Sequence, residues 1–395
     1  MELMDLLKIA VERRASDLHI KVGGPPTLRI DGKLSPVQEL PRLTHEQVVT
    51  MASGLMNARQ RERFKESNDL DLAHSVPGLG RFRASIFQQR GAVGMSLRVI
   101  PTKIMTIVEL NLPEILAKLA LENRGLLLVT GTTGSGKSST LAAMIDHINN
   151  TRACHVMTIE DPIEFLHRDR KSIVNQREVG VDTGSFAEAL RSALRQDPDI
   201  ILVGEMRDFE TISTAILAAE TGHLVLSTLH TLDAAETINR IISVFPPYQQ
   251  KQVRLQLAAV LRGVISQRLI PRADGQGRVP AVEVMVGTAT IRECIADPDK
   301  TRRIQEIIAT GGSQYGMQTF DQSLMDLYRR GLVTYEEALR WSSNPDDFAL
   351  RVRGIESTGD QNWLSQDESG FVSPGGESRG PTPPSRPMRP PIGQR

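Results

Sequence analysis

Residues 125–139 read GLLLVTGTTGSGKSS. An unbroken apolar run enters a glycine-rich loop, and apolar residues at helical spacing leave it. The loop, Gly131-Thr132-Thr133-Gly134-Ser135-Gly136-Lys137-Ser138, matches G-x-x-x-x-G-K-[ST]. A match this short needs its setting, and the setting fits: strand before, helix after. Glycines allow positive φ and a close approach of backbone to phosphate. Successive amide N–H groups form an anion cradle, and the helix N-terminus adds partial positive charge. The candidate phosphate-binding residues are therefore Gly131, Thr133, Gly134, Ser135, Gly136, Lys137, Ser138 and Ser139. Lys137 is placed for the β- and γ-phosphates of ATP, and Ser138 for Mg²⁺.

Outward from this loop, strands alternate with helices from residue 113 to about 344. Apolar strands are expected at 154–159, 200–203 and 223–228, and helices at 137–148, 209–220 and 234–244. Asp233 with Glu236 reads as a capping box. Continuous apolar strands between helices indicate a mainly parallel sheet covered on both faces. Residues 1–100 differ. A short amphipathic helix at 4–13 is followed by alternation at Leu18, Ile20 and Val22 and at Leu28 and Ile30, with Asp31-Gly32 as a hairpin turn. Two more strands are expected at 81–87 and 93–100. The expected organisation is a smaller N-terminal α/β domain (1–100), a connector (101–112), an ATPase domain with C-terminal helices (113–353) and a disordered Gly/Ser/Pro-rich tail (354–395). Seven of the 22 prolines fall at or after Pro374, which is the basis for the last boundary.

Two carboxylates stand at strand ends. One apolar run ends in Glu160-Asp161-Pro162 and another in Gly204-Glu205. Ligands of an open parallel sheet bind beyond the carboxyl ends of its strands, so both should reach a bound nucleotide. Gly-Glu replaces the more usual Asp at the second strand. His223 and His230 bracket the run 224–229, where they could report the γ-phosphate.

Composition narrows the field of functions. Lys+Arg and Asp+Glu both total 47, and aromatics make up only 4%, so nothing in bulk composition suggests a nucleic-acid partner. Cys154 and Cys294 form no CxxC pair and exclude a cysteine-rich zinc site. No apolar run approaches the roughly 20 residues that span a bilayer. The N-terminus has no signal-peptide core. The expectation is a soluble chain without direct membrane insertion.

These stretches together resemble the secretion ATPase superfamily of type II secretion and type IV pili, and within it the pilus-retraction branch. TIEDPIEF (158–165) resembles its Asp box, RQDPDIILVGEMRD (195–208) its Walker B and TGHLVLSTLHT (221–231) its His box. SDLHI (16–20) and GRFRASIFQQRG (80–91) resemble its N-terminal domain, and MQTFDQSL (317–324) its C-terminal helices. The resemblance covers about residues 1–350. It implies a RecA-like P-loop ATPase domain with a smaller N-terminal PAS-like α/β domain. It also implies Glu160 as general base, Glu205 as Mg²⁺ partner, His223 as γ-phosphate sensor, and Arg83 and Arg98 as arginines reaching a phosphate at the subunit interface. The implied setting is a homohexamer, cytoplasmic and peripheral to the inner membrane, working with a platform protein and the pilus base. With SDLHI starting at Ser16 and only two cysteines, neither the extra N-terminal domain nor the zinc insert of the assembly branch is expected. The stretch ATIRECIAD (289–297) departs from the charge pattern of the retraction branch, which keeps an accessory paralogue of the retraction motor open. An assembly or secretion ATPase shares the chemistry, and a RecA-like nucleic-acid motor or a non-hydrolysing scaffold shares the expected sheet.

Overall fold

The alternation in the first hundred residues becomes one antiparallel sheet. Its strands are β1 (Asp17–Lys21), β2 (Thr27–Ile30), β3 (Lys33–Pro36), β4 (Asp69–Val76), β5 (Gly80–Gln89) and β6 (Ala92–Ile100), in the order β3-β2-β1-β6-β5-β4. A computed structural model describes residues 2–354 apart from 31 and 102. Asp31 of the expected turn and residues 355–395 of the expected tail lie outside the described residues. One face of the sheet buries Phe82, Ala84, Ile86, Met95 and Leu97 against Leu6, Leu7 and Ala10 of the helix Leu3–Glu12. Two helices that the sequence pattern did not reveal, His45–Leu55 and Ala58–Ser67, complete this core. Both start at reciprocal capping boxes, Thr44 with Gln47 and Asn57 with Gln60.

The second sheet is mainly parallel. Its strands are β7 (Gly125–Thr130), β8 (His155–Glu160), β9 (Ile173–Glu178), β10 (Ile200–Val203), β11 (Leu224–Leu229), β12 (Leu261–Pro271) and β13 (Arg278–Val286), in the order β13-β12-β7-β11-β10-β8-β9. Only β13 runs antiparallel to its neighbour. The apolar run before the glycine loop is fully buried because it serves two cores at once. Leu126 and Leu128 face the helices Phe209–Glu220 and Ala234–Ser243, while Leu127 and Val129 face the helix Lys137–Thr151. Alternate side chains of a strand point to opposite faces, so a strand covered on both sides must be apolar throughout.

Two further details concern residues 101–112 and the last helices. Part of the segment expected as a connector docks: Ile107 and Leu112 are buried in the core around the helix Lys137–Thr151. The last helices, Phe320–Arg329, Tyr335–Trp341 and Pro345–Val352, form their own small core with Ile270, Val279 and Ala281 of the β12–β13 hairpin.

Candidate active site

The glycine loop turns as its sequence requires. Gly131 has φ 138°, and a Cβ there would meet the Gln267 carbonyl oxygen at 2.5 Å and the Ser135 hydroxyl at 2.6 Å. Gly136 takes φ 96° at the N-cap of the helix Lys137–Thr151. The Lys137 ammonium donates to the carbonyl oxygens of Gly131 (2.8 Å) and Thr132 (3.0 Å), closing the loop on itself. Burial holds this ammonium below the ordinary lysine value, against the upward pull of Glu164 and Glu205. The Ser135 hydroxyl is buried with no hydrogen-bond partner among the described residues, and a phosphate oxygen would satisfy it.

The loop floors a cleft of about 520 Å³ at the carboxyl edge of the sheet, a size that accommodates a nucleotide. Thr133, Gly134, Gly136, Lys137, Ser138 and Ser139 line it. So do Glu160 from β8, Glu205 after β10 and Thr228 at the end of β11. Sheet register explains the convergence, since β8, β10 and β11 run parallel and in step. Thr228 donates to the Gly204 carbonyl at 2.6 Å, tying β11 to the turn that carries Glu205. The Glu205 Oε2 forms an ion pair with Arg207, 2.9 Å from its Nε, and lies 3.6 Å from His230 Nε2.

Glu160 is held firmly. Its carboxylate accepts from the Thr158 hydroxyl (2.7 Å), the Gln176 amide (3.1 Å) and the Glu164 N–H (3.4 Å). Burial nevertheless pushes its carboxyl above the usual glutamate range, because those donors offset only part of the desolvation. Gln176 also donates to the Phe165 carbonyl (2.9 Å) and accepts the His167 N–H (2.9 Å), so the segment after β8 is pinned to β9. His167 lines the cleft, and burial lowers its imidazole to about 4.

The two histidines of the stretch 221–231 stand at opposite ends of β11. His223 precedes β11 at the amino edge of the sheet, its Nδ1 at 2.9 Å from the Ala218 carbonyl. A strand of six residues separates it from the cleft of its own chain, whereas His230 stands at the end that lines the cleft. The predicted arginines divide as well. Arg98 lines the cleft although its Nε donates to Asp17 at 2.9 Å. Arg83 sits opposite Arg98 in register but faces Asp71 at 3.7 Å and is absent from the cleft wall. Glu164 and Arg278, which the sequence motifs did not single out, both stand in the wall. Glu164 was legible inside TIEDPIEF as a second carboxylate. Arg278 lies outside the family motifs, on a strand that periodicity did not reveal.

A P-loop between a buried strand and a helix, with carboxylates from the neighbouring strand ends, defines a P-loop ATPase of the RecA-like kind. The family model described as type II/IV secretion system protein matches residues 2–314, and the chain belongs to that family. Among curated relatives, the type IV pilus retractation ATPase PilT of Pseudomonas aeruginosa is 49% identical over 348 residues, 88% of this chain and 100% of that protein. The type IV pilus ATPase PilU of the same organism is 44% identical, over 91% of this chain and 94% of that one. Among solved structures, the pilus retraction motor PilT with bound ADP superposes with a TM-score of 0.81 at 47% identity, covering 88% of this chain and 98% of that one.

Proposed function

We propose that this chain is the ATP-hydrolysing subunit of a type IV pilus retraction motor, a homohexamer that works twitching motility. The observation that carries the catalytic part is the single cleft into which Lys137, Ser138, Glu160 and Glu205 converge. The likeness to PilT along nearly the whole chain supports the retraction part. Ser138 and Glu205 offer a hydroxyl and a carboxylate, the hard oxygen donors that suit Mg²⁺, and they are the residues that would hold it. When bound, the ion neutralises phosphate charge.

The residues of the chain divide the remaining work. The loop amides and Lys137 bind and orient the triphosphate. Glu160, with its raised carboxyl, takes the proton of the attacking water, since a base is most useful when its pKa approaches the working pH. His230, beside Glu205, senses the γ-phosphate. Arg98 brings a guanidinium from the N-terminal sheet into the cleft wall, where it neutralises developing charge, and Arg83 extends the same basic face. Motion of the N-terminal sheet against the ATPase sheet is passed to an inner-membrane platform protein at the pilus base. The chain accordingly works in the cytoplasm, at the surface of that membrane.

A second reading, an accessory retraction motor paired with a paralogue, draws on the comparable likeness to PilU and on the altered helix Ala289–Ala296. A strain lacking this chain decides. Abundant surface pili without twitching would establish retraction. Bald cells would overturn it in favour of assembly. Normal pili with mildly weakened twitching would favour the accessory motor.

A further inference from the structure

We propose that Arg81 and Glu178 form a latch between the two sheets that positions the segment carrying Asp161 and Glu164, so that hydrolysis depends on where the N-terminal sheet sits. This rests on the ATPase reading above. Glu178 ends β9 and is 3% exposed. Its Oε2 accepts the Ile163 N–H at 3.1 Å and the Arg81 guanidinium at 2.7 Å. One carboxylate oxygen thus joins the segment after Glu160 to a strand of the other sheet, 97 residues away in sequence.

The surroundings make the pair sensitive. Arg81 Nε is buried with no partner among the described residues, and its remaining side-chain bond is a long one to the Ser75 hydroxyl at 3.5 Å. The guanidinium therefore relies chiefly on Glu178. Without Arg81, Glu178 would keep a buried negative charge and lose its salt-bridge partner, and breaking one half of a buried ion pair is strongly unfavourable. On the other side, Gln176 and Glu178 are two apart on β9 and reach the same face. Gln176 pins Phe165 and His167, and Glu178 pins Ile163. Gln176 belongs wholly to the ATPase sheet, whereas Glu178 is shared. A displacement of β5 must break the ion pair or carry the 161–164 segment with it. Either outcome changes the placement of Glu164, whose N–H also bonds Glu160. Arg81 and Glu178 do not line the cleft, so they act as positioning residues.

The test uses the full chain in its native assembly, with Arg81→Gln, Glu178→Gln, their combination and Arg81→Lys. Steady-state kcat and KM for MgATP are measured beside hydrogen–deuterium exchange. Each single glutamine variant should lower kcat roughly tenfold with KM changed less than about twofold. Exchange over 160–167 should quicken while that over 131–139 stays as in the parent chain. The double variant should lose no more than the worse single one, and Arg81→Lys should recover most of the loss. Single variants with parental kcat and parental exchange over 160–167 would overturn the latch, as would losses that multiply in the double variant. If Glu178→Gln fails to fold, Arg81→Gln decides by the same two readouts. A parent chain without ATP turnover would defeat the ATPase reading instead, and exchange over 160–167 would still report on the latch.

Discussion

His230 Nε2 lies 3.6 Å from the Oε2 of Glu205, at the end of β11 that meets the cleft. His223 opens the same strand at the opposite edge. His230→Ala should lower kcat about tenfold or more, in the range for a group that acts on a reacting phosphate. His223→Ala should leave nucleotide affinity within about twofold. Turnover and ADP affinity of the two variants, measured side by side, check the assignment. A larger affinity loss for His223→Ala would return the sensor role to the amino edge.

Lys137 bridges both ends of its loop through Gly131 and Thr132. Its ammonium has little solvent to lose when phosphate arrives, because it is already buried. Lys137→Ala should therefore cut hydrolysis by about 100-fold or more, a loss of roughly 3 kcal/mol in transition-state stabilisation. A phosphate-release assay is sufficient. Turnover near that of the parent chain would remove the P-loop from the mechanism.

Glu160 and Glu164 both line the cleft, but Glu164 is exposed, whereas Glu160 is partly buried at the end of β8 and desolvation raises its carboxyl. Glu160→Gln should lose about 100-fold in kcat and Glu164→Gln about tenfold. The pH dependence has a defined sign. A raised pKa keeps the base protonated to a higher pH, so kcat should fall as pH drops through a value above the ordinary 4.5 of glutamate. Glu160→Gln should abolish this acid limb. The reverse order of losses would make Glu164 the base.

His167 is neutral in the folded chain down to about pH 4, against 6.5 for an ordinary histidine. The unfolded chain binds the proton first, so stability should decline as pH falls from about 6.5 toward 4. The full effect is on the order of 3 kcal/mol. Thermal unfolding of the parent chain and His167→Gln across this interval checks it: the variant should show a shallower decline.

Much of this site was legible because its parts are local in sequence. The P-loop is one contiguous stretch, and Glu160 and Glu205 follow apolar strands whose ends periodicity located. What escaped depends on pairings across the chain. β9, with Asn175, Gln176 and Arg177 in its middle, carries no apolar signature because it is an edge strand. Its role appears only when β8 lies beside it. His223 and His230 were indistinguishable as flanking residues, since choosing between them needs the direction of β11 relative to the loop. Arg81, Arg83 and Arg98 share one face of an antiparallel sheet, but which of them meets the ATPase sheet is set by packing between sheets.

The small core of the last helices bears on where this chain can be shortened. Phe320, Leu324 and Phe348 cover Ile270, Val279 and Ala281, and the adjoining residues Leu269 and Arg278 stand in the cleft wall. A protease cut near residue 315 would wet the back of the hairpin whose front closes the nucleotide cleft. Solubility and ATP binding would then fail together, although no P-loop residue had been touched. A cut just after residue 354 removes none of these contacts. The catalytic unit, judged by what must be kept, thus extends well beyond its last catalytic residue.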